Sequence, residues 1–145
     1  MNELVLVRYL HFLGLFIVVA TVFAEAVLLR KVLKRSVIQT LFKIDGLYGM
    51  SAMLVVGIGL YLWFGIGKPA EYYSTNPIFI IKVILFLIVG VLSIWPTVFY
   101  FKNRKGDSED ELQIPSHLRV ILKMELLILS IIPLLATSMA QGIGL

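Results

Sequence analysis

Four long apolar runs separated by three polar breaks constrain this chain more than any other feature. They extend from about Leu4 to Leu29, Ile44 to Phe64, Pro77 to Phe101 and Leu118 to Ala140. A helix rises 1.5 Å per residue, so about 20 apolar residues cross a bilayer core about 30 Å thick. Each run meets that length. Backbone polar groups in hydrocarbon must be satisfied within their own segment, which makes each run a helix. The breaks are legible: residues 30–43 are basic, 65–76 hold Gly, Pro, Ser and Asn, and 102–117 are highly charged and contain Pro115. Four spans joined by short loops predict an all-α polytopic membrane protein, an antiparallel four-helix transmembrane bundle forming one integral-membrane domain over residues 1–145. No strand pattern competes, and no loop is long enough to hold a soluble domain. Ala20 with Ala24 and Ala136 with Ala140 are the clear small-xxx-small pairs available for helix packing.

Composition agrees. The chain is 59% hydrophobic and 15% charged, against about 45–50% and about 25% for soluble domains. That excess excludes a soluble globular domain, a disordered chain and a nucleic-acid-binding module; the partner is the lipid bilayer. Cysteine is absent, which excludes disulfides, thiolate metal sites and a cysteine nucleophile. HExxH, CxxC, phosphate-loop and Ser-His-Asp patterns are also missing. Ala24-Glu25-Ala26 has the small-x-small form of a signal-peptide cleavage site. The apolar run before it is too long, however, and Arg30-Lys31 reads as a stop-transfer flank, so the first span is expected to be retained.

The net charge of +4 is a topology signal rather than a hint of an anionic partner. Arg30, Lys31, Lys34, Arg35 and Lys43 lie in the first loop. Lys102, Arg104 and Lys105 lie in the third, with Arg119 and Lys123 just beyond, and the middle loop has only Lys68. The positive-inside rule then predicts a multi-pass protein of the bacterial inner membrane, with loops 30–43 and 102–117 cytoplasmic and both termini periplasmic. Tyr9, Tyr61, Trp63, Tyr72 and Tyr73 read as the outer aromatic belt. The middle loop, from Lys68 to Tyr73, is placed to cap an outer site.

Ionisable groups inside a span are costly and usually face the bundle interior, so they mark candidate sites. His11 and Lys82 fall in the outer half of spans one and three. Glu25, Asp45 and Glu125 fall in the inner half of spans one, two and four. Arg30, Lys43, Arg119 and Lys123 are near enough to neutralise them in register-fixing ion pairs. Asp45, Gly49, Ala52, Val56, Gly59 and Trp63 form one stripe at helical spacing, with Tyr48 beside it. On the third span Ser93 and Thr97 share the face of Lys82. Pro96 removes the hydrogen bond to Leu92 and is expected to kink the helix. His117 reads as a solvated loop residue.

Tyr9-Leu10-His11-Phe12-Leu13, Ala24-Glu25, Leu29-Arg30, Asp45-Gly46-Leu47-Tyr48-Gly49, Asn76-Pro77 with Lys82, Ser93-Ile94-Trp95-Pro96-Thr97, Ile132-Pro133-Leu134-Leu135-Ala136 and Gly142-Ile143-Gly144 together resemble an uncharacterised family of bacterial four-helix inner-membrane proteins, a domain of unknown function. The resemblance covers essentially the whole chain. A more distant one is to HemJ-type protoporphyrinogen IX oxidases, which are similar in having four helices, a His near the start of the first and a Lys near the start of the third. The chain departs from them in having Ile81 before Lys82 and in Trp95-Pro96. That resemblance implies haem b, with His11 as ligand and with His11 and Lys82 as the residues activity depends on. Leu47-Tyr48-Gly49 looks like the second helix of that family and adds Tyr48 to the cofactor side chains. An imidazole is a common haem ligand. With one His inside a span, a second ligand comes from Lys82, from Met139 on the fourth helix, or from another subunit of a homo-oligomer.

Three functions are open at this point. The first is a haem-associated redox protein acting in porphyrin oxidation or membrane electron transfer. The second is a small proton-coupled transporter using Glu25, Asp45 and Glu125. The third is a non-catalytic assembly partner in the membrane.

Overall fold

The computed structural model describes residues 2–66 and 77–140, with side chains described for 2–65 and 77–138. Helix α1 runs Glu3–Leu28, followed by strand β1 (Val32–Lys34) and helix α2 (Arg35–Tyr61). A π-helical turn, Leu62–Ile66, ends α2. Helices α3 (Pro77–Leu92) and α4 (Ile94–Asn103) form the two halves of the third span. Strand β2 (Glu111–Gln113) and helix α5 (Ser116–Ala140) follow. Four continuous apolar stretches, Glu3–Leu28, Arg35–Gly65, Pro77–Asn103 and Ser116–Ser138, are long enough to cross a membrane. The architecture is the all-α four-helix bundle that the apolar pattern requires. The segment 67–76, with Lys68, Tyr72 and Tyr73, and the terminal 141–145 lie outside the described residues.

Each helix has a local reason for its limits. Asn2 caps α1 by accepting from the Leu4 N–H at 2.8 Å. At the other end the Leu29 N–H still donates to the Glu25 carbonyl, after which the chain turns extended. The second helix starts earlier than the apolar run alone suggests. Residues 35–43 were expected to be loop, yet they are helical, because this stretch has no Gly or Pro and places Ile38 and Leu41 in the core. The break between α3 and α4 falls at Ser93, three residues before Pro96. The ladder bonds on either side survive, Ser93 N–H to Val89 O at 3.0 Å and Thr97 N–H to Ser93 O at 3.2 Å. The missing proline N–H accounts for the interruption.

One feature contradicts the absence of strands expected from the sequence. β1 and β2 pair antiparallel with Val32 opposite Gln113, Leu33 opposite Leu112 and Lys34 opposite Glu111. The ladder is extended by Ile114 N–H to Lys31 O at 2.8 Å and Arg35 N–H to Asp110 O at 2.8 Å. Three-residue strands are too short to show an alternation. They form because both loops cross the same end of the bundle, where Leu29, Leu33 and Ile114 cover the core. This is the sheet end; the opposite end, where α1 begins and α5 finishes, is the terminal end.

Around the bundle α1 packs on α2 and α5, α3 packs on α5, and α4 packs on α2. The shift of partner between α3 and α4 is the structural effect of the break at Ser93. It closes the bundle at the sheet end and leaves α2 and α3 without close backbone packing nearer the terminal end.

Of the first alanine pair, Ala20 is exposed and Ala24 half-buried. A close approach of α1 to α2 is at buried Gly14, where a Cβ would stand 2.9 Å from Val55 Cγ2 and 3.8 Å from the Ser51 carbonyl on α2. Small residues let helix backbones approach in lipid. Gly14→Ala already crowds Val55, a buried β-branched residue with little rotamer freedom, and Gly14→Ile should destabilise the α1–α2 pair further, by about 1–3 kcal/mol, the usual range for overpacking. Thermal unfolding in detergent checks this, and equal midpoints for the two variants would contradict it.

Candidate functional site

The structure separates the ionisable residues of the spans into two places. Towards the terminal end, His11 on α1 and Lys82 on α3 line one cavity of about 430 Å³. Its walls are apolar and partly aromatic: Phe12 and Leu15 from α1, Val55, Gly59 and Leu60 from α2, Trp63 from the π turn, Phe79, Val83 and Phe86 from α3, and Ile132 and Ala136 from α5. All four spans contribute. The cavity lies where α2 and α3 do not pack, so it opens sideways toward lipid, and the exposure of Phe12, Leu60 and Leu87 on its rim agrees with that.

Within the cavity, His11 Nδ1 is buried and has no hydrogen-bond partner among the described residues. Buried polar atoms are normally satisfied, so an orphaned ring nitrogen on a residue that lines an apolar cavity needs an explanation. Lys82 is half-buried, lies within electrostatic range of His11, and holds its ammonium 5.7 Å from the Phe79 ring centre. Trp63 packs edge-on to Phe79 at 4.9 Å between centroids. Gly59 makes room beside the imidazole: a Cβ there would meet His11 Cε1 at 3.6 Å. Met139 is helical, but its side chain lies outside the described residues.

The second place lies toward the sheet end, fourteen residues from His11 along α1, which is about 21 Å at 1.5 Å per residue. Glu25 (α1), Asp45 (α2) and Glu125 (α5) are buried there within electrostatic reach of one another. Thr97 Oγ1 on α4 donates to Asp45 Oδ2 at 2.5 Å. The Tyr100 hydroxyl, also on α4 and fully buried, faces Glu25 without closing to a hydrogen bond. Tyr48, expected beside the cofactor, is placed here instead, facing Ser93 and the three acids.

The expected neutralisation by basic residues is not found. Arg30, Lys43 and Lys123 are exposed, and Arg119 Nε is buried without a partner. Among the described residues the ion pairs are Lys34–Glu109 and Arg35–Asp110, both at the sheet end. The inner cations fail to reach the acids for a geometric reason. Glu25, Asp45 and Glu125 point into the bundle, while cations displaced from them along each helix by other than a whole number of turns project outward.

Arg35, read from sequence only as a topology charge, ties the third loop to α2. Its Nε donates to the Asn103 carbonyl at 3.1 Å, and its Nη1 to the Asp107 carbonyl at 3.1 Å and to Asp110 Oδ2 at 2.6 Å. Gly106 lies against this guanidinium with φ +131°, a conformation that disfavours a side chain. His117, expected in a loop, is in the first turn of α5 and exposed. It lines a smaller sheet-end cavity of about 310 Å³ with Trp95, Phe99 and Lys102.

Tyr100 escaped the sequence reading. Its signal was present: Ser93, Thr97 and Tyr100 are spaced four and three apart and share one helix face.

A family model described as "Predicted membrane protein (DUF2214)" matches residues 3–144. The chain belongs to that family. The match spans both sites, so the cavity with His11 and Lys82 and the acidic group beneath it both lie inside the DUF2214 domain. No curated protein and no solved structure matches the chain.

Proposed function

We propose that this membrane protein binds haem b in the cavity near its terminal end and serves porphyrin oxidation or membrane electron transfer. The observation that carries the reading is that His11, whose buried Nδ1 has no partner among the described residues, lines an apolar cavity together with Lys82. The cavity volume falls within the range of about 300–1,000 Å³ usual for cofactor sites. The distant resemblance to HemJ-type oxidases singles out the same two residues.

The donor set fits such a group. His11 supplies a ring nitrogen suited to the iron, and Lys82 a cation for a propionate or a proton donor within the cavity. Trp63, Phe79 and Phe86 offer flat walls that exclude water. Haem, when bound, supplies one-electron redox chemistry. The lateral opening admits a planar, lipid-soluble ligand directly from the bilayer. Porphyrins have that character.

An oxidised-minus-reduced absorption spectrum of detergent-purified protein from haem-replete cells tests the reading. It should show a Soret band and an α band on reduction; a colourless preparation would overturn it.

The basic residues at the sheet end favour an inner-membrane orientation with that end in the cytoplasm. Because the native chain has no cysteine, single Asn2→Cys and Asp107→Cys variants report it. An impermeant thiol reagent should label the first in intact cells and the second only after lysis; the opposite pattern inverts the topology.

A further inference from the structure

The acidic group at the sheet end has no part in the cavity chemistry, and its arrangement has its own consequence. Three carboxyl groups from three helices converge in the bundle interior, with Glu25 and Glu125 each 1% exposed and Asp45 5%. No described cation pairs with them. Glu25 Oε1 and both Glu125 oxygens are buried without a hydrogen-bond partner, while Asp45 accepts from Thr97 and lies within hydrogen-bonding reach of Glu25. The independent pointer is Tyr100, which is not acidic, is fully buried, and directs an unpartnered hydroxyl at Glu25. Four orphaned polar atoms on one small volume are far more than a packing role requires.

Three uncompensated negative charges in a membrane interior would repel one another with little solvent to screen them. Something must offset them. The three acids are not arranged as a group that could hold a metal ion. A proton needs no coordination shell, and a carboxylic acid gains a donor that a neighbouring carboxylate or hydroxyl oxygen can accept.

We propose that Glu25, Asp45 and Glu125, with Thr97 bonded to Asp45 and the Tyr100 hydroxyl beside Glu25, form a buried proton-binding site whose protons exchange with water. The groups facing it are Glu25 from α1, Asp45 and Tyr48 from α2, Thr97 and Tyr100 from α4, and Glu125 from α5. Buried apolar residues stand on both sides of it: Val18, Val89 and Leu129 toward the cavity, and Leu29, Leu33 and Ile114 toward the sheet end.

Infrared spectroscopy of the full chain reconstituted in lipid reads this directly. Wild-type protein at neutral pH should show carboxylic-acid C=O absorption above the amide band, and that absorption should shift in D2O. Glu25→Gln, Asp45→Asn and Glu125→Gln should each reduce it, whereas Glu109→Gln, in an exposed ion pair, should not. His11→Ala should leave it in place, so the result is independent of haem binding. If wild-type protein shows no such absorption at neutral pH, the proposal fails, whatever the variants do. It also fails if the absorption survives all three substitutions, or if exchanging sodium for potassium alters it and D2O does not. Where a variant does not fold, the wild-type spectrum and its deuterium shift still decide.

Discussion

His11→Ala should remove the Soret band of the purified protein entirely, while Lys82→Ala should leave a weakened or shifted one. The difference follows from the roles the cavity allows. His11 is the imidazole that lines the cavity and its Nδ1 has no competing partner among the described residues; without it the apolar walls offer no comparable ligand for iron. Lys82 faces the same space from α3 but would contribute charge to the periphery of a bound porphyrin. Gly59→Phe provides a second approach. A bulky ring beside His11 Cε1 would fill the cavity without touching the ligand atom, so haem content should fall to background while the helical circular-dichroism signal is unchanged. Wild-type haem content in both Gly59→Phe and His11→Ala would place any cofactor elsewhere.

Arg35→Ala should loosen the sheet end and cost roughly 2–3 kcal/mol, the scale of losing charge-assisted hydrogen bonds whose partners are partly shielded. The side chain is 13% exposed and bridges three groups across the third loop. Two of these are backbone carbonyls, of which that of Asp107 also accepts from the Asp110 N–H at 3.1 Å. Lys34→Ala is the control. Its ion pair with Glu109 is 53% and 72% exposed, and surface pairs of this kind contribute at most about 1 kcal/mol. Thermal unfolding in detergent, together with trypsin cleavage at Arg104 and Lys105, distinguishes the two. Arg35→Ala should unfold earlier and be cut faster there, and Lys34→Ala should behave like wild type. Equal cleavage rates for both variants would show that the loop is held by its β1–β2 pairing alone.

The parts that were legible in the sequence share a cause. The four spans, and the break before Pro96, are consequences of how a chain must behave in hydrocarbon, and those consequences are local. An apolar run of sufficient length has to be helical, and a proline has no N–H to give. The ionisable residues could be sorted by depth for the same reason, since rise per residue converts position into distance along a helix. His11 with Lys82 and Glu25 with Asp45 and Glu125 were grouped that way, and the structure brings each group together.

What escaped was mostly lateral. Depth cannot say which residues face one another across the bundle, so nearby cations were assigned to acids they do not reach, and Tyr48 to a cavity it does not line. The two-stranded sheet was hidden because three-residue strands leave no pattern and exist only when two distant loops meet. Arg35 looked like one more basic flank until the third loop was seen folded around it.

The sequence by itself therefore determined the solvent, the number of crossings and the relative depth of His11, Lys82, Glu25, Asp45 and Glu125, because each is set by the length and polarity of a single segment. The tertiary structure alone decided the neighbours: the cavity left where α2 and α3 part, and the carboxyl groups left without counter-cations. Those depend on the rotation of each helix about its axis, which is settled by packing against the other three.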